Sequence, residues 1–464
     1  MKKRLSVILF ALTVFVLFSN GCKNFKNPTA VTAPIATPGP GAVVFVDPAL
    51  DYVIRQAIAR PTGDIHAADL TGITALDCSS KGITNLSGIQ NCANLAYLDL
   101  TFNYSLSDLS PLSGLTHLTN LQASDCSITN LWPIKNNIGM LNLNISYNNI
   151  TTLAATVGMK DMTNLNAGYN PGLTDISLLA DHIKMTALDL QHCNISNIGG
   201  VSGMTQLTSL TLSGNPIGST VPLAGLVNLR GLLLDSTGIT SVANLSAMTQ
   251  LTNLDLDTNS ITSIAGLAGK NTITNLTIQH NTITDISPLA GMTNILNLDI
   301  SNNQISDISA LSGMTKITNL KMNYNTITSL TPVSGLTQLQ FLEFSGNLVT
   351  DISPLTGLNM IVTLHIEHNN LGNLNALAGK TSIHNLYASY CNLTDISGLS
   401  ADTGLSYLDL SNNSLTSIAA LVADAASGGL WYGAVILSNN PGLLPAAAAD
   451  ETTLQASPYN VSIF

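Results

Sequence analysis

Three groups of residues carry side chains that chemistry could use. His365-Ile366-Glu367-His368 places two imidazoles and a carboxylate within four consecutive positions, the raw material of a transition-metal site. Asp235, Asp255, Asp257 and Asp299 offer the hard oxygen donors that calcium takes. Six cysteines could pair as disulfides in an exported chain or serve as thiolates. A nucleophile elbow, zinc-type ligand spacing and a phosphate-cradling glycine loop are all missing from the sequence, so the chain reads as a non-enzyme without a cofactor.

What those residues can do depends on the elements that carry them. Asn259, Asn281, Asn303, Asn325, Asn347 and Asn369 follow one another at a step of 22. Ahead of each stands one pattern, seen as Ile295-x-x-Leu298-x-Ile300-x-x-Asn303-x-Ile305. The column extends upstream through Lys81, Asn103, Cys126, Asn148, Asn170, Cys193, Asn215 and Thr237, and downstream through Cys391, Asn413 and Asn440, giving 17 turns. The step is 23 before Cys126 and Cys193 and 27 before Asn440. The extra residues, after Asn103 and Asn170, read as one-residue bulges, and the long last turn as a short helix within Ala419 to Tyr432.

Alternation around Leu298 and Ile300 is the period of a short strand, with those two inside and Asn297, Asp299 and Ser301 outside. One such turn cannot bury its apolar face, whereas stacked turns share a continuous core. The asparagine falls where the chain leaves the strand and backbone groups lose their ladder partners; an amide with two donors and an acceptor can satisfy them from inside. On the return, Ser287-Pro288 reads as an N-cap with proline at the first helical position. Gly291, Gly313, Gly335 and Gly357 suit a left-handed turn, and Met292 and Met314 are core fillers.

The words L-x-x-L-x-L-x-x-N-x-I/L are those of the leucine-rich repeat. Segments such as Ile283-Thr-Asp-Ile-Ser-Pro-Leu-Ala-Gly-Met292 closely resemble the 22-residue repeats of bacterial internalin-like proteins. The resemblance covers about Val43 to Asn440. It implies an α/β solenoid: a right-handed superhelix with a parallel concave sheet and short 3₁₀ or helical convex segments. It also implies a role in adhesion or host interaction.

In this register the chemical groups change meaning. Ile366 is core, His365 and Glu367 point outward and His368 lies at the bend, so a plain polar face is expected rather than a metal site. The four aspartates share one face of nearby turns, either a calcium patch or a solvated acidic surface. Cys126, Cys193 and Cys391 occupy the asparagine column too far apart to pair, while Cys78 and Cys92 fall on neighbouring turns within reach of a disulfide. Outward positions lie six, four, two and one residues before each column residue. They hold Tyr97, Phe102, Tyr147, Tyr169 and His192 in one patch, and Tyr324, Phe341, His365, His368, Tyr387, Tyr390 and Tyr407 in a second, with His280 between. Exposed aromatic side chains anchor partners at low entropic cost, and they also pair across strands and stiffen a sheet. These twelve patch residues are the candidate partner-binding set.

The termini add an address. Met1 to Arg4 is basic and Leu5 to Phe18 is an apolar run of 14 residues, too short to span a membrane and right for a secretory signal. Ser19-Asn20-Gly21-Cys22 looks like a bacterial lipoprotein processing site, with Cys22 as the lipidated residue, although Ser19 stands where leucine is usual; the other reading is an ordinary cleaved signal. The expected organisation is a signal peptide at 1–21, a Pro/Ala/Thr-rich tether at 22–42, a helical N-terminal cap at 43–70, repeats at 71–444 and a C-terminal cap or tail at 445–464. Only 9% of the 464 residues are charged and the net charge is −11, which becomes −14 once Lys2, Lys3 and Arg4 leave with the signal. Such a chain repels phosphate, so no nucleic-acid partner is expected, and it meets a membrane only through its lipid anchor. The expected protein is an exported, lipid-anchored monomer at the cell surface or in the periplasm, holding a protein or glycan on its concave face. The alternative is an envelope-assembly scaffold contacting other bacterial proteins.

Overall fold

The computed structural model describes residues 39–443 and 447–464. The chain divides into two units, Met1–Gly41 and Ala42–Phe464, and the second holds the repeats and the elements that cap them. Cys22 and the signal and tether assignments before residue 39 lie outside the described residues.

The second unit begins with helix α1 (Pro48–Ala57). Asp47 caps it, accepting from the Ala49 and Leu50 amides at 2.9 and 3.3 Å, and proline fills the first helical position, where no amide is needed. The other Asp47 oxygen accepts from the Thr84 amide at 2.7 Å, tying the helix to the first turn of the repeats. Burial works against the Asp47 carboxylate, but these amide bonds outweigh it and hold the group below its ordinary range. Leu50, Val53 and Ile54 face inward and close the open end of the core. The second element of this cap is a 3₁₀ turn over Ala67–Leu70.

Among the described residues eighteen short strands, from Ala75–Asp77 to Ser462–Ile463, then form one parallel sheet in which each strand pairs with the next in the chain. The pairing keeps repeat positions aligned: Asn275, Asn297 and Asn319 face one another, as do Leu276, Leu298 and Leu320. Each apolar position therefore stacks on its equivalent, and Leu298, Ile300, Met292 and Met314 are all buried in a single continuous core. Seventeen strands lead into column residues. The eighteenth comes from the C-terminal segment, where α3 (Ala448–Gln455) buries Leu454 and the chain returns to pair with Ala434–Ile436. The long last turn carries α2 (Ala419–Ala426).

The return segments are 3₁₀ turns such as Ser287–Leu289, because 22 residues leave no room for a full helix on the far side. Two local expectations are corrected. Ser287 is not the cap but the first residue of the turn; Asp285 does the capping, accepting from the Ser287 amide at 2.7 Å and from its hydroxyl at 3.0 Å. A carboxylate two residues back reaches that amide, which the short serine side chain cannot do for its own. Of the four glycines, only Gly291 has a left-handed backbone, at φ +84°; Gly313, Gly335 and Gly357 do not. The insertions after Asn103 and Asn170 are hydrogen-bonded turns, with Leu106 donating to the Asn103 carbonyl and Leu173 to the Asn170 carbonyl, both at 2.9 Å.

One core column carries unexpected charge. The methionine position of Met248, Met292 and Met314 is taken by Lys270 and Lys380, both buried. Their ammonium groups cap carbonyls of the preceding turns: Lys270 donates to Ser246 and Met248, and Lys380 to Thr356 and Leu358, all at 3.0 to 3.1 Å. Burial lowers the pKa of both lysines.

Candidate binding face

The asparagine column builds the face from behind. Asn303 is buried; its carbonyl accepts from the Ile283 amide of the preceding turn at 3.0 Å. Its amide group donates to Ile278, Ile300 and Ser301 carbonyls at 3.0 to 3.1 Å. Asn281, Asn325, Asn347 and Asn369 repeat the arrangement. Where cysteine replaces the amide, its thiol keeps one of these bonds: Cys391 donates to the Ile366 carbonyl at 3.1 Å. Burial pushes the Cys391 thiol up to about 12 and those of Cys126 and Cys193 to about 11, so all three stay protonated and unreactive. Cys78 and Cys92 are buried free thiols, and the disulfide open to them is not formed.

The bend imposes a conformation on the residue before each column position. In all seventeen turns that residue is left-handed, with φ between +50° and +68°. Side chains with a Cβ resist this region by about 1–2 kcal/mol, and glycine, asparagine, aspartate and histidine are its usual tenants. Here eight of the seventeen are aromatic or histidine: Phe102, Tyr147, Tyr169, His192, His280, Tyr324, His368 and Tyr390. Tyr324, Tyr390, Tyr147 and Phe102 are exposed by 58, 51, 48 and 44%.

The rings form rows. Tyr147 stacks on Tyr169 at 4.0 Å, and Tyr169 on His192 at 4.7 Å. His192 in turn lies over Gly214, where an added Cβ would sit 2.4 Å from its Nδ1. Tyr324 lies over Gly346 in the same manner, with 2.5 Å from Cδ1 to the added Cβ, and His368 stacks on Tyr390 at 4.5 Å. Deeper in the sheet a parallel row runs from Phe341 through His365 and Tyr387 to Tyr407, with centroids 5.9, 4.0 and 4.9 Å apart. All four of these rings are half-buried, as are Tyr97 and Tyr169. The two predicted patches are thus each brought together, except that Tyr97 makes no ring contact, Phe102 meets only Tyr104, at 6.2 Å, and Tyr324 packs on Gly346 rather than on another ring.

Between the two C-terminal rows lies a depression of about 250 Å³, lined by Asn323, Tyr324, Glu343, Ser345, His365, Glu367, His368 and Ser389. Asn323, Glu343, Ser345 and Ser389 were not singled out from the sequence, although the register already placed them on this face. His365 Nδ1 lies 3.2 Å from a Glu367 oxygen, and Ser345 donates to the other. Burial would raise the Glu367 pKa, but the bonds from His365 and Ser345 outweigh it and keep the carboxylate ionised. Among the described residues no three or more His, Cys, Asp or Glu side chains are grouped to hold a metal ion. Asp255 and Asp257 are half-buried rather than freely solvated; burial first, then repulsion from neighbouring aspartates, raises both pKa values.

An open parallel sheet backed by an asparagine ladder defines a leucine-rich-repeat solenoid with a polar, ring-bearing strand face. Residues 272–313 match a family model described as two copies of the leucine-rich repeat, and residues 404–422 match a second leucine-rich-repeat model. Among known proteins the chain is similar to Internalin H of Listeria monocytogenes, 32% identical over 101 residues. That match takes in 20% of this chain and spans 17% of the relative's length. An internalin structure from the same organism, InlF, superposes with a TM-score of 0.64 at 29% identity, over 78% of this chain and all of InlF. A leucine-rich-repeat protein of Leptospira interrogans shares the fold at 18% identity, TM-score 0.68, over 86% of this chain and 97% of its own. Among the described residues no helix is long and apolar enough to cross a membrane.

Proposed function

We propose that this chain is a non-enzymatic binding protein that holds a protein partner on its strand face, chiefly through the rows around Tyr324, His365, Tyr387 and Tyr390. One observation carries the reading: large rings occupy left-handed backbone positions that favour glycine or asparagine. The core does not require them there, since Asn302, Ser236 and Asn412 fill the same position in other turns. A side chain kept at an energetic disadvantage and left exposed is accounted for by what it touches outside the chain. Similarity to internalins supports a role in adhesion. The leader-like N-terminus supports export, with Cys22 as a lipid anchor, and the acidic charge supports a partner other than nucleic acid.

The test is capture of candidate partners with the full chain and with a variant carrying Tyr324→Ala, Tyr387→Ala and Tyr390→Ala. Capture should fall at least about tenfold, the equivalent of 1.4 kcal/mol, while the circular dichroism spectrum is retained. Unchanged capture by a folded variant removes this face as the site. Mass spectrometry of the mature N-terminus tests the anchor, which requires a lipidated Cys22. Protease accessibility on intact cells separates an outward-facing binder from a scaffold inside the envelope.

A further inference from the structure

We propose that the depression between Tyr324 and His368 receives a cationic side chain, a lysine or arginine of a protein partner, with Glu343 and Glu367 as its counter-charges; this rests on the strand face being a binding surface. At about 250 Å³ the space suits a side-chain head group and not a folded segment. Both carboxylates can be reached from outside, with side chains 15 and 19% exposed.

The balance of donors and acceptors selects the ligand class. Asn323 donates to Glu343 Oε2 at 2.7 Å and accepts from the Ser345 amide at 2.8 Å. The Ser345 hydroxyl donates to Glu367 Oε2, and His365 Nδ1 serves Glu367 Oε1. Three of the site's donors are therefore directed at its own carboxylates, leaving the Tyr324 and Ser389 hydroxyls and the His368 ring beside them. Glu343 Oε1 has His365 Nε2 at 3.8 Å, longer than a hydrogen bond. What distinguishes the depression for a visitor is its negative charge, with acceptor oxygens and ring faces around it. A neutral sugar hydroxyl leaves that charge unmatched, whereas an ammonium or guanidinium, which only donates, is matched by it.

The chain itself shows the chemistry on one wall. Lys321 Nζ lies 3.7 Å from Glu343 Oε2 and 5.1 Å over the Phe341 ring, an ammonium held by the same carboxylate and an adjoining ring. One lysine against two glutamates leaves a negative charge to be matched. The wider face has the same bias: the outward positions of the seventeen turns hold eleven acidic residues and a single lysine, Lys321, so the balance is negative even with Asp255 and Asp257 raised by burial. That field favours a basic partner and hastens its arrival.

The experiment titrates the full chain with fluorescein-labelled hexalysine and, separately, with cellohexaose. Hexalysine should bind, and the pair Glu343→Gln with Glu367→Gln should weaken it about tenfold. The pair Asp99→Asn with Asp125→Asn, on the same face in distant turns, should change it by less than about twofold. Glu343→Gln alone, whose amide oxygen still accepts from Asn323, guards against a folding defect and should weaken binding in the same direction. Equal losses from both pairs, no hexalysine binding, or saturation by cellohexaose instead would overturn the proposal. The same glutamine pair is run in partner capture. If the tyrosine variant abolishes capture while the glutamine pair alters neither capture nor hexalysine binding, the binding face stands and the cation site falls. If the tyrosine variant leaves capture intact, the face itself is refuted.

Discussion

At the residue scale, the asparagine column and the residue before it do opposite things. Asn303 is fixed by four internal hydrogen bonds, so its replacement by alanine orphans one amide and leaves carbonyls of two turns short of a donor. Asn303→Ala should destabilise the fold by about 1–3 kcal/mol, and Asn303→Cys by less, because a thiol retains a carbonyl bond as Cys391 does. Urea titration of the three proteins checks the ranking. The role of this column was legible in the sequence because a fixed step of 22 singles out a residue type, and an amide is the side chain able to serve both donors and acceptors at a bend. The residue before it was legible only as outward. That Tyr324 and His368 stand in left-handed backbone has no periodic signature, since tyrosine, histidine, serine and glycine all occupy the site. The depression beside them was hidden for a related reason: Glu343 and Asn323 look like ordinary polar residues until the turns are stacked.

At the element scale, the return segments separate a glycine that is needed from glycines that are not. Gly291 sits at φ +84°, whereas Gly313, at the end of the Ser309–Gly313 turn, has no left-handed strain and nothing within 4 Å of an added Cβ. Gly313→Ala should stabilise by about 0.4–1 kcal/mol through the unfolded chain, and Gly291→Ala should destabilise; thermal melts of the two variants should move in opposite directions. The repeat pattern showed these positions as one column, and sequence alone could not divide them. The last turns carry a second distinction. Burial, set against an amide bond from Lys380 and joined by repulsion from Asp424, pushes Asp402 up to about 7; burial pushes Asp424 up to about 6. Both values are raised above an unfolded value of about 3.9, so the folded state keeps protons that the unfolded chain releases. Their contribution is therefore complete below about pH 4 and is lost as pH rises through about 6 to 7. Hydrogen exchange of α2 and the strand Ala434–Ile436, corrected for intrinsic rates, should show more protection at pH 5 than at pH 8. Asp402→Asn should keep the acceptor for Lys380 and remove most of that difference.

At the scale of the whole molecule, stability is shared between neighbours, because each strand pairs only with those before and after it. Removing Thr282 to Asn303 deletes one 22-residue turn and joins Asn281 to Gln304. Ile305 then follows the Asn281 bend as Ile283 does in the intact chain, still donating to Asn325. Asn325, whose amide group donates to the Ile300 carbonyl in the intact chain, meets the Ile278 carbonyl in its place, the equivalent of the preceding turn. The shortened protein should fold and unfold in one transition, with a smaller denaturant dependence in proportion to the surface removed. Deleting half a turn, Thr282 to Met292, turns the inward leucines of one segment against the polar positions of the next and should abolish the cooperative transition. The full-turn deletion also brings the two ring patches closer by one strand spacing, about 4.8 Å, without touching a residue of either. A partner seated on the C-terminal rows alone should be captured as before, whereas one bridging both patches should be lost. Comparing capture by the intact and shortened chains therefore measures how much of the strand face a single partner spans.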